Sequence, residues 1–193
     1  MKVVLASHNQ GKLAELAAIL ESGVPNLELV GYDGPEPVED GTSYLQNALI
    51  KARAAAAITG LPAIADDSGI AVEILGGSPG IFSARWSGTR DAVTNRQLLL
   101  AQLADVAPEH RAAAFVCTIA LVTGTDEVSF TGIWQGSIAT AERGTNGHGY
   151  DPVFIPDGFE ATAAEIEPEV KNAFSHRAQA LSQLADYLRG NLF

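Results

Sequence analysis

Asp66 and Asp67 stand side by side at the end of the apolar run Leu61 to Ala65, and Ser68-Gly69 follows. Two adjacent carboxylates repel each other, and burial raises the pKa of each. A hard cation such as Mg²⁺ relieves both effects by taking carboxylate oxygens directly. Proteins that hold such a cation commonly use it on phosphate. The chemistry suggested is metal-assisted attack on a phosphorylated substrate. The competing reading is a solvated Asp-Ser-Gly turn, with the apolar run as a strand that ends there.

Other segments carry groups suited to an anionic ligand. Ser7-His8-Asn9-Gln10-Gly11-Lys12 lies between an apolar run and a helical pattern. Backbone N–H groups and the helix dipole attract phosphate at such a junction. Gly11 allows close approach and Lys12 adds a full charge, although the G-x-x-x-x-G-K-[ST] spacing is absent. A capped helix with an exposed lysine would look the same. Glu36, Glu39 and Asp40 occupy an acidic loop that is either solvated surface or the source of a metal ligand opposite Asp67. Lys51 and Arg53 share a helix; Arg53 reads as exposed, and the pattern leaves Lys51 open.

Gly147-His148-Gly149-Tyr150-Asp151-Pro152 specifies a sharply shaped loop. It could set backbone amides and the His148 ring against a flat ligand, with Asp151 reading ring N–H groups, or it is a turn packed over Tyr150. Lys171, Ser175, His176 and Arg177 gather at the start of the last helix, where cations oppose the dipole. Either a ligand or an acidic neighbour offsets that opposition. Arg85 either clamps phosphate or holds the glycine-rich turn before it. Trp86 and Trp134 read as core or interface residues.

The elements that must position these groups follow from periodicity. Lys2 to Ala6 is a buried strand, and Lys12 to Leu20 repeats apolar residues at helical spacing. Leu27 to Val30 is a short strand, and Gly31 to Gly41 a loop. Thr42 or Ser43 caps a helix reaching Ile58. Ile70 to Ile74 is expected to return beside Leu61 to Ala65. Asp91 to Ala104 is helical. Ala112 to Val122 and Val128 to Ala139 form a hairpin about Gly124-Thr125-Asp126, expected as a lobe of its own. Pro152 to Ile155 is a short strand, and Ser175 caps a helix through Leu188. The alternation predicts an α/β fold: a mixed central sheet flanked by helices, in two lobes around a substrate cleft.

The chain has 193 residues, 47% hydrophobic and 18% charged, which fits one folded domain over 1–193. A net charge of −11 argues against a nucleic-acid surface. No run approaches the length of a membrane helix. The single cysteine, Cys117, excludes an intrachain disulfide and reads as a core residue. No leader-like segment follows Met1, so a cytoplasmic protein is expected.

In chain order, Ser7 to Lys12 with Glu15, Glu39-Asp40-Gly41, Asn47-Ala48 with Lys51-Ala52, Ala65 to Gly69, Gly76-Gly77 through Ser83-Ala84-Arg85, Gly147 to Pro152 and Ser175-His176-Arg177 resemble the Ham1/RdgB-like inosine triphosphate pyrophosphatases. The resemblance implies a cytosolic homodimer that uses Mg²⁺ to hydrolyse ITP, dITP and XTP to the monophosphate and pyrophosphate. It implies Asp67 as catalytic carboxylate and metal ligand, with Glu39 as second ligand. It implies substrate contacts from Ser7, His8, Asn9, Gln10, Gly11, Lys12, Lys51, Ser68, His148, Gly149, Tyr150, Asp151, Lys171, His176 and Arg177. Two positions depart from the family pattern: His8 replaces a glycine, and His148 a phenylalanine. Rival functions are a pyrophosphatase for modified pyrimidine triphosphates, a nucleotide sensor without turnover, and a purely structural dimer.

Overall fold

The computed structural model describes residues 1–8, 10–124 and 126–191, except for several side chains in the first helix. Its strands are β1 (Lys2–Leu5), β2 (Glu28–Val30), β3 (Ala63–Val72), β4 (Ala112–Thr123), β5 (Asp126–Ile138) and β6 (Phe154–Pro156). Its helices are α1 (Gln10–Gly23), α2 (Tyr44–Thr59), α3 (Ala92–Gln102), α4 (Pro168–Phe174) and α5 (His176–Asn191). The strands form one six-stranded sheet in the order β2-β1-β3-β4-β5-β6. β1 runs parallel to both β2 and β3, whereas β5 and β6 are antiparallel, so the sheet is mixed. This is the α/β class expected.

The chain divides into two compact units. The first comprises 1–67, 117–131 and 179–193; the second comprises 68–116 and 132–178. The β4–β5 hairpin is therefore not the separate lobe that the sequence led us to expect. Its turn end belongs to the first unit and its open end to the second. Long strands can serve two cores, because each stretch packs on whatever covers it locally.

The first unit follows the alternation of side chains along its strands. Val3, Leu5, Ile64, Ile119 and Leu121 pack with Leu16 and Leu20 of α1 and with Leu181, Leu184 and Leu188 of α5. Neighbours of opposite parity, Val4, Ala63, Ala65, Ala120 and Val122, pack against Ala48, Ala52 and Ala55 of α2. Small alanines let α2 approach the sheet closely. Leu184 is fully buried, and truncating such a leucine to alanine costs about 3 kcal/mol. Cys117 lies in this core, as expected.

Local signals set the helix ends. Ser43 Oγ accepts from Gln46 N (3.2 Å), and Gly60 closes α2 in the left-handed conformation. Asp91 Oδ1 accepts from Thr94 N (2.8 Å) at the start of α3, and Ser175 Oγ from Ala178 N (3.2 Å) at the start of α5.

In the second unit Phe154 sits between Phe115 and Trp134, with centroids 4.7 and 5.5 Å away, both edge-on. Ile70, Leu99, Leu103, Ile138 and Tyr150 complete that core. Arg111 is buried, and its guanidinium donates to the carbonyls of Leu103, Val106 and Ala139 at 2.5, 2.9 and 3.0 Å.

One expectation fails in an instructive way. Asp66-Asp67-Ser68-Gly69 is not a turn but the middle of β3, and Ile70 to Val72 continues the same strand instead of returning beside it. Asp, Ser and Gly are weak strand formers, but they lie inside a long strand that begins beside β1 at Ala63 and Ile64 and neighbours β4 in the sheet, and that tertiary context overrides their local preference.

Candidate active site

Because Asp66 and Asp67 are consecutive strand residues, their side chains leave opposite faces of the sheet. Asp66 shares parity with Ile64, on the side covered by α1, and Asp67 with Ala65, on the side covered by α2. Their partners agree. Lys12 of α1 makes an ion pair with buried Asp66. Asn47 of α2 donates from Nδ2 to Asp67 Oδ2 at 3.0 Å. The two carboxylates therefore do not act as one shared ligand pair, and only Asp67 faces the α2 side.

Asn47 is fully buried and uses both ends of its amide. Its Oδ1 accepts from Gly41 N at 3.0 Å while Nδ2 holds Asp67. It thereby ties the acidic loop to the carboxylate. A Cβ at Gly41 would lie 2.6 Å from Asn47 Oδ1, so the chain needs glycine there. Glu39, two residues earlier, pairs with Lys51 Nζ at 2.7 Å. Lys51, Asn47 and Tyr44 recur at helical spacing along one stripe of α2. That spacing was visible in the sequence, but the hub role of Asn47 was not read from it.

His8 turns toward the acidic loop. Its Nε2 donates to Gly34 O (2.8 Å), Nδ1 lies 3.3 Å from Glu36 Oε1, and the ring stacks on Tyr32. Ser7 precedes it. Asn9 lies outside the described residues, as do the side-chain surroundings of Gln10 and Gly11. Arg53 pairs with Glu127 through two bonds of 2.6 and 2.7 Å on the surface, as its exposed reading implied.

Donor chemistry on the α2 side fits a hard divalent cation. Glu39 and Asp67 offer carboxylate oxygens, and Asn47 and Gly41 link their two segments. Among the described residues no group of three or more His, Cys, Asp or Glu forms a cage. Mg²⁺ suits such a sparse set, because it commonly takes one or two carboxylates and completes its shell with water and substrate phosphate.

The second unit holds the remaining candidates. Asp151 is buried; its Oδ2 accepts from His148 N at 2.7 Å and from Lys171 Nζ at 2.6 Å. Gly147 has φ +72°, and a Cβ there would lie 2.1 Å from Asp151 Oδ2. Glycine is required on both grounds. Tyr150 donates from its hydroxyl to Ser83 O at 2.8 Å, and burial raises its pKa. Arg96 of α3, which the sequence reading passed over, donates from Nη1 to Gly149 O at 3.1 Å and pairs through Nε with Glu142 at 2.8 Å. The 147–151 loop is thus pinned at four points, with the His148 ring exposed.

His176 is buried at the start of α5, its ring stacked on Phe115 at 4.9 Å and nearly parallel. Arg177 follows, half-buried. The acidic neighbour anticipated for this cationic cluster exists for Lys171, in Asp151. Ser68 is the first residue of the second unit, immediately after Asp67. Arg85 lies over the Phe82 ring at 5.3 Å, and Trp86 donates from Nε1 to Gln102 Oε1 at 2.8 Å.

Comparison with known proteins places this arrangement. The model of the Ham1 family matches residues 3–187. The chain belongs to the Ham1 family. A family member named dITP/XTP pyrophosphatase, from Leifsonia xyli subsp. xyli, is 58% identical over 191 residues, covering 98% of this chain and 96% of its own. The solved HAM1 protein of Coxiella burnetii superposes with a TM-score of 0.92 at 40% identity, covering 98% and 99% of the two chains. The structure of a nucleoside-triphosphatase / dITP/XTP pyrophosphatase from Mycobacterium abscessus gives 0.82 at 51% identity, covering 95% and 98%. The Ham1 likeness runs through both units and through every segment that holds a candidate residue.

Proposed function

We propose that this chain hydrolyses non-standard purine nucleoside triphosphates (ITP, dITP and XTP) to the nucleoside monophosphate and pyrophosphate, with Asp67 as the key carboxylate and Mg²⁺ as cofactor. The observation that carries this reading is end-to-end similarity to relatives named dITP/XTP pyrophosphatase. The chain would work as one functional domain over 1–193, as a cytoplasmic homodimer. No described helix is long and apolar enough to cross a membrane.

Asp67 and Glu39 would hold the ion. When bound, Mg²⁺ supplies Lewis-acid stabilisation of charge on the phosphate chain. The remaining work falls to the protein. Lys12 and Lys51, each paired with a carboxylate, exchange that partner for phosphate oxygens when a triphosphate enters. Phosphate contacts are assigned to Ser7, His8, Asn9, Gln10 and Gly11, at a strand-to-helix junction of the kind that attracts anions. Asp67 orients water and accepts its proton as the water oxygen bonds to phosphorus. The bond between the α and β phosphates breaks, and the oxygen of the water ends on one product while the bridging oxygen leaves with the other, giving monophosphate and pyrophosphate.

Base reading falls to the second unit. His148, Gly149, Tyr150 and Asp151 form a pinned surface for a purine, and Ser68 and Lys171 add polar contacts. His176 and Arg177 donate to the 6-carbonyl of inosine and xanthosine. An adenine amino group would face those donors unpaired, a mismatch that costs about 1–3 kcal/mol when buried.

The test is pyrophosphate release with Mg²⁺ across ITP, XTP, dITP, GTP, ATP and dTTP, with Asp67→Asn in parallel. Strong turnover of the first three, lost in the variant, is expected. Preference for dTTP would point instead to pyrimidine housekeeping. ITP binding without turnover would make the protein a sensor.

A further inference from the structure

Asn47 lies fully buried in the first turn of α2, where its backbone N–H donates to Ser43 O at 3.1 Å. A buried amide is costly unless its polar ends are paired, and this one pairs them on two different segments. Gly41 N–H can only donate, so the side-chain atom 3.0 Å from it must be the carbonyl Oδ1. That leaves Nδ2 facing Asp67, where it donates to Oδ2 at 3.0 Å. The reverse orientation would set N–H against NH₂ and carbonyl against carboxylate. The backbone of the acidic loop thus decides that Asp67 meets a donor here. The end of that loop is held to the same turn of α2: Thr42 N donates to Gln46 Oε1 at 2.7 Å, and Gln46 N to Ser43 Oγ at 3.2 Å. Gln46 and Asn47 therefore make the same kind of bond to the loop end. Gln46 is exposed and makes it at the surface, whereas Asn47 is buried and carries it on to Asp67.

We propose that Asn47 is a positioning residue of the Asp67 site: its two-ended amide transmits the position of the acidic loop to the carboxylate and holds Oδ2 in one direction. This rests on the reading of Asp67 given above. An aspartate side chain turns about two bonds, and its terminal torsion is broad. A hydrogen bond from a group that is itself fixed at Gly41 narrows that freedom. Glu39 lies two residues before Gly41 and pairs with Lys51, one helical turn after Asn47. The same stripe of α2 thereby fixes Glu39 and Asp67 together. Loss of the Asn47 amide falls on the chemical step, which needs an aligned carboxylate, more than on nucleotide binding.

The experiment compares wild type, Asn47→Asp, Asn47→Ser, Gln46→Ala and Asp67→Asn. It reads steady-state kinetics with ITP and Mg²⁺ at a temperature where each protein is folded, with thermal unfolding beside it. Asn47→Asp keeps the volume and the acceptor for Gly41 but replaces the donor to Asp67 by an oxygen. Asn47→Ser shortens the side chain away from both segments without adding charge, and answers the question if Asn47→Asp does not fold. Both are expected to lower kcat about tenfold or more, with KM within about threefold. Gln46→Ala loses the neighbouring bond to the loop end; it should melt earlier, with kcat within about twofold of wild type. Wild-type kcat in the Asn47 variants with an inactive Asp67→Asn overturns the proposal and leaves the Asp67 reading intact. An equal fall in kcat for Gln46→Ala also overturns it, by making Asn47 a general brace of the helix start. A change confined to KM overturns it by making Asn47 a binding residue. Full turnover by Asp67→Asn removes the Asp67 reading and the proposal with it.

Discussion

The two units hold their candidate groups by different physics. In the first, each carboxylate has a dedicated counterpart: Lys12 for Asp66, Lys51 for Glu39 and the Asn47 amide for Asp67. In the second, the same density of contacts shapes backbone. Arg96 reaches the Gly149 carbonyl, Tyr150 the Ser83 carbonyl, and Asp151 the His148 amide. Charge balance governs the first set; in the second, charge pairs such as Lys171 with buried Asp151 are joined by side-chain bonds that fix loop backbone. Removing a partner in the first unit disturbs charge balance; removing Arg96 or Tyr150 in the second releases a loop.

The largest effect should come from removing the cation paired with buried Asp66. Lys12→Ala leaves Asp66 without its cation, at a cost of about 3 kcal/mol of stability in addition to the lost phosphate contact. Urea unfolding and pyrophosphate release should both be affected strongly. A variant with wild-type stability would show that the pair is not what keeps Asp66 buried.

Arg96→Ala should have a smaller and different effect. Freed of its pin at Gly149, the loop is expected to raise KM for XTP about tenfold, with kcat nearly unchanged. Loss confined to kcat would break the distinction between the units, because it would tie a shape-holding residue to the chemical step.

The smallest effect lies in alkaline stability. Burial raises the pKa of Tyr150, and that of Tyr44 from 10.0 to about 12. Each proton is held more tightly in the folded chain than in the unfolded one. The associated stability is present below about pH 10 and is lost as pH rises through the folded values. Urea midpoints should fall between about pH 9 and pH 11.5, and Tyr44→Phe should flatten part of that fall. A midpoint independent of pH across that window would contradict the burial of both phenols.

Much of the frame was legible in single residues. Ser43, Asp91 and Ser175 announced the helix starts they cap, and Leu99 and Leu103 of the α3 segment and Leu181, Leu184 and Leu188 of α5 pack inward. The short helix α4 was missed although Pro168 at its first position, followed by Glu169, is a recognised start signal. Within the site, residue types pointed to the acids and cations, but not to which cation serves which acid. Asn47 and Arg96 were passed over because an amide or an arginine on a helix has no chemistry until its partner is known. Nor could local spacing reveal that both ring nitrogens of His8 meet the acidic loop, through contacts 26 and 28 residues along the chain.

By itself the sequence determined the alternation of elements, the helix caps, the glycines that specific backbone conformations demand, and a set of acids and cations whose types suit an anionic ligand. These are local matters of propensity, period and side-chain chemistry. Only the tertiary structure decided that Asp-Asp-Ser-Gly is mid-strand, because incorporation of β3 into the sheet outweighs the turn preference of those residues. That decision carries the rest: in a strand, adjacent side chains point to opposite faces, so Asp66 goes to Lys12 and Asp67 to Asn47. In a turn the two acids would have shared one environment.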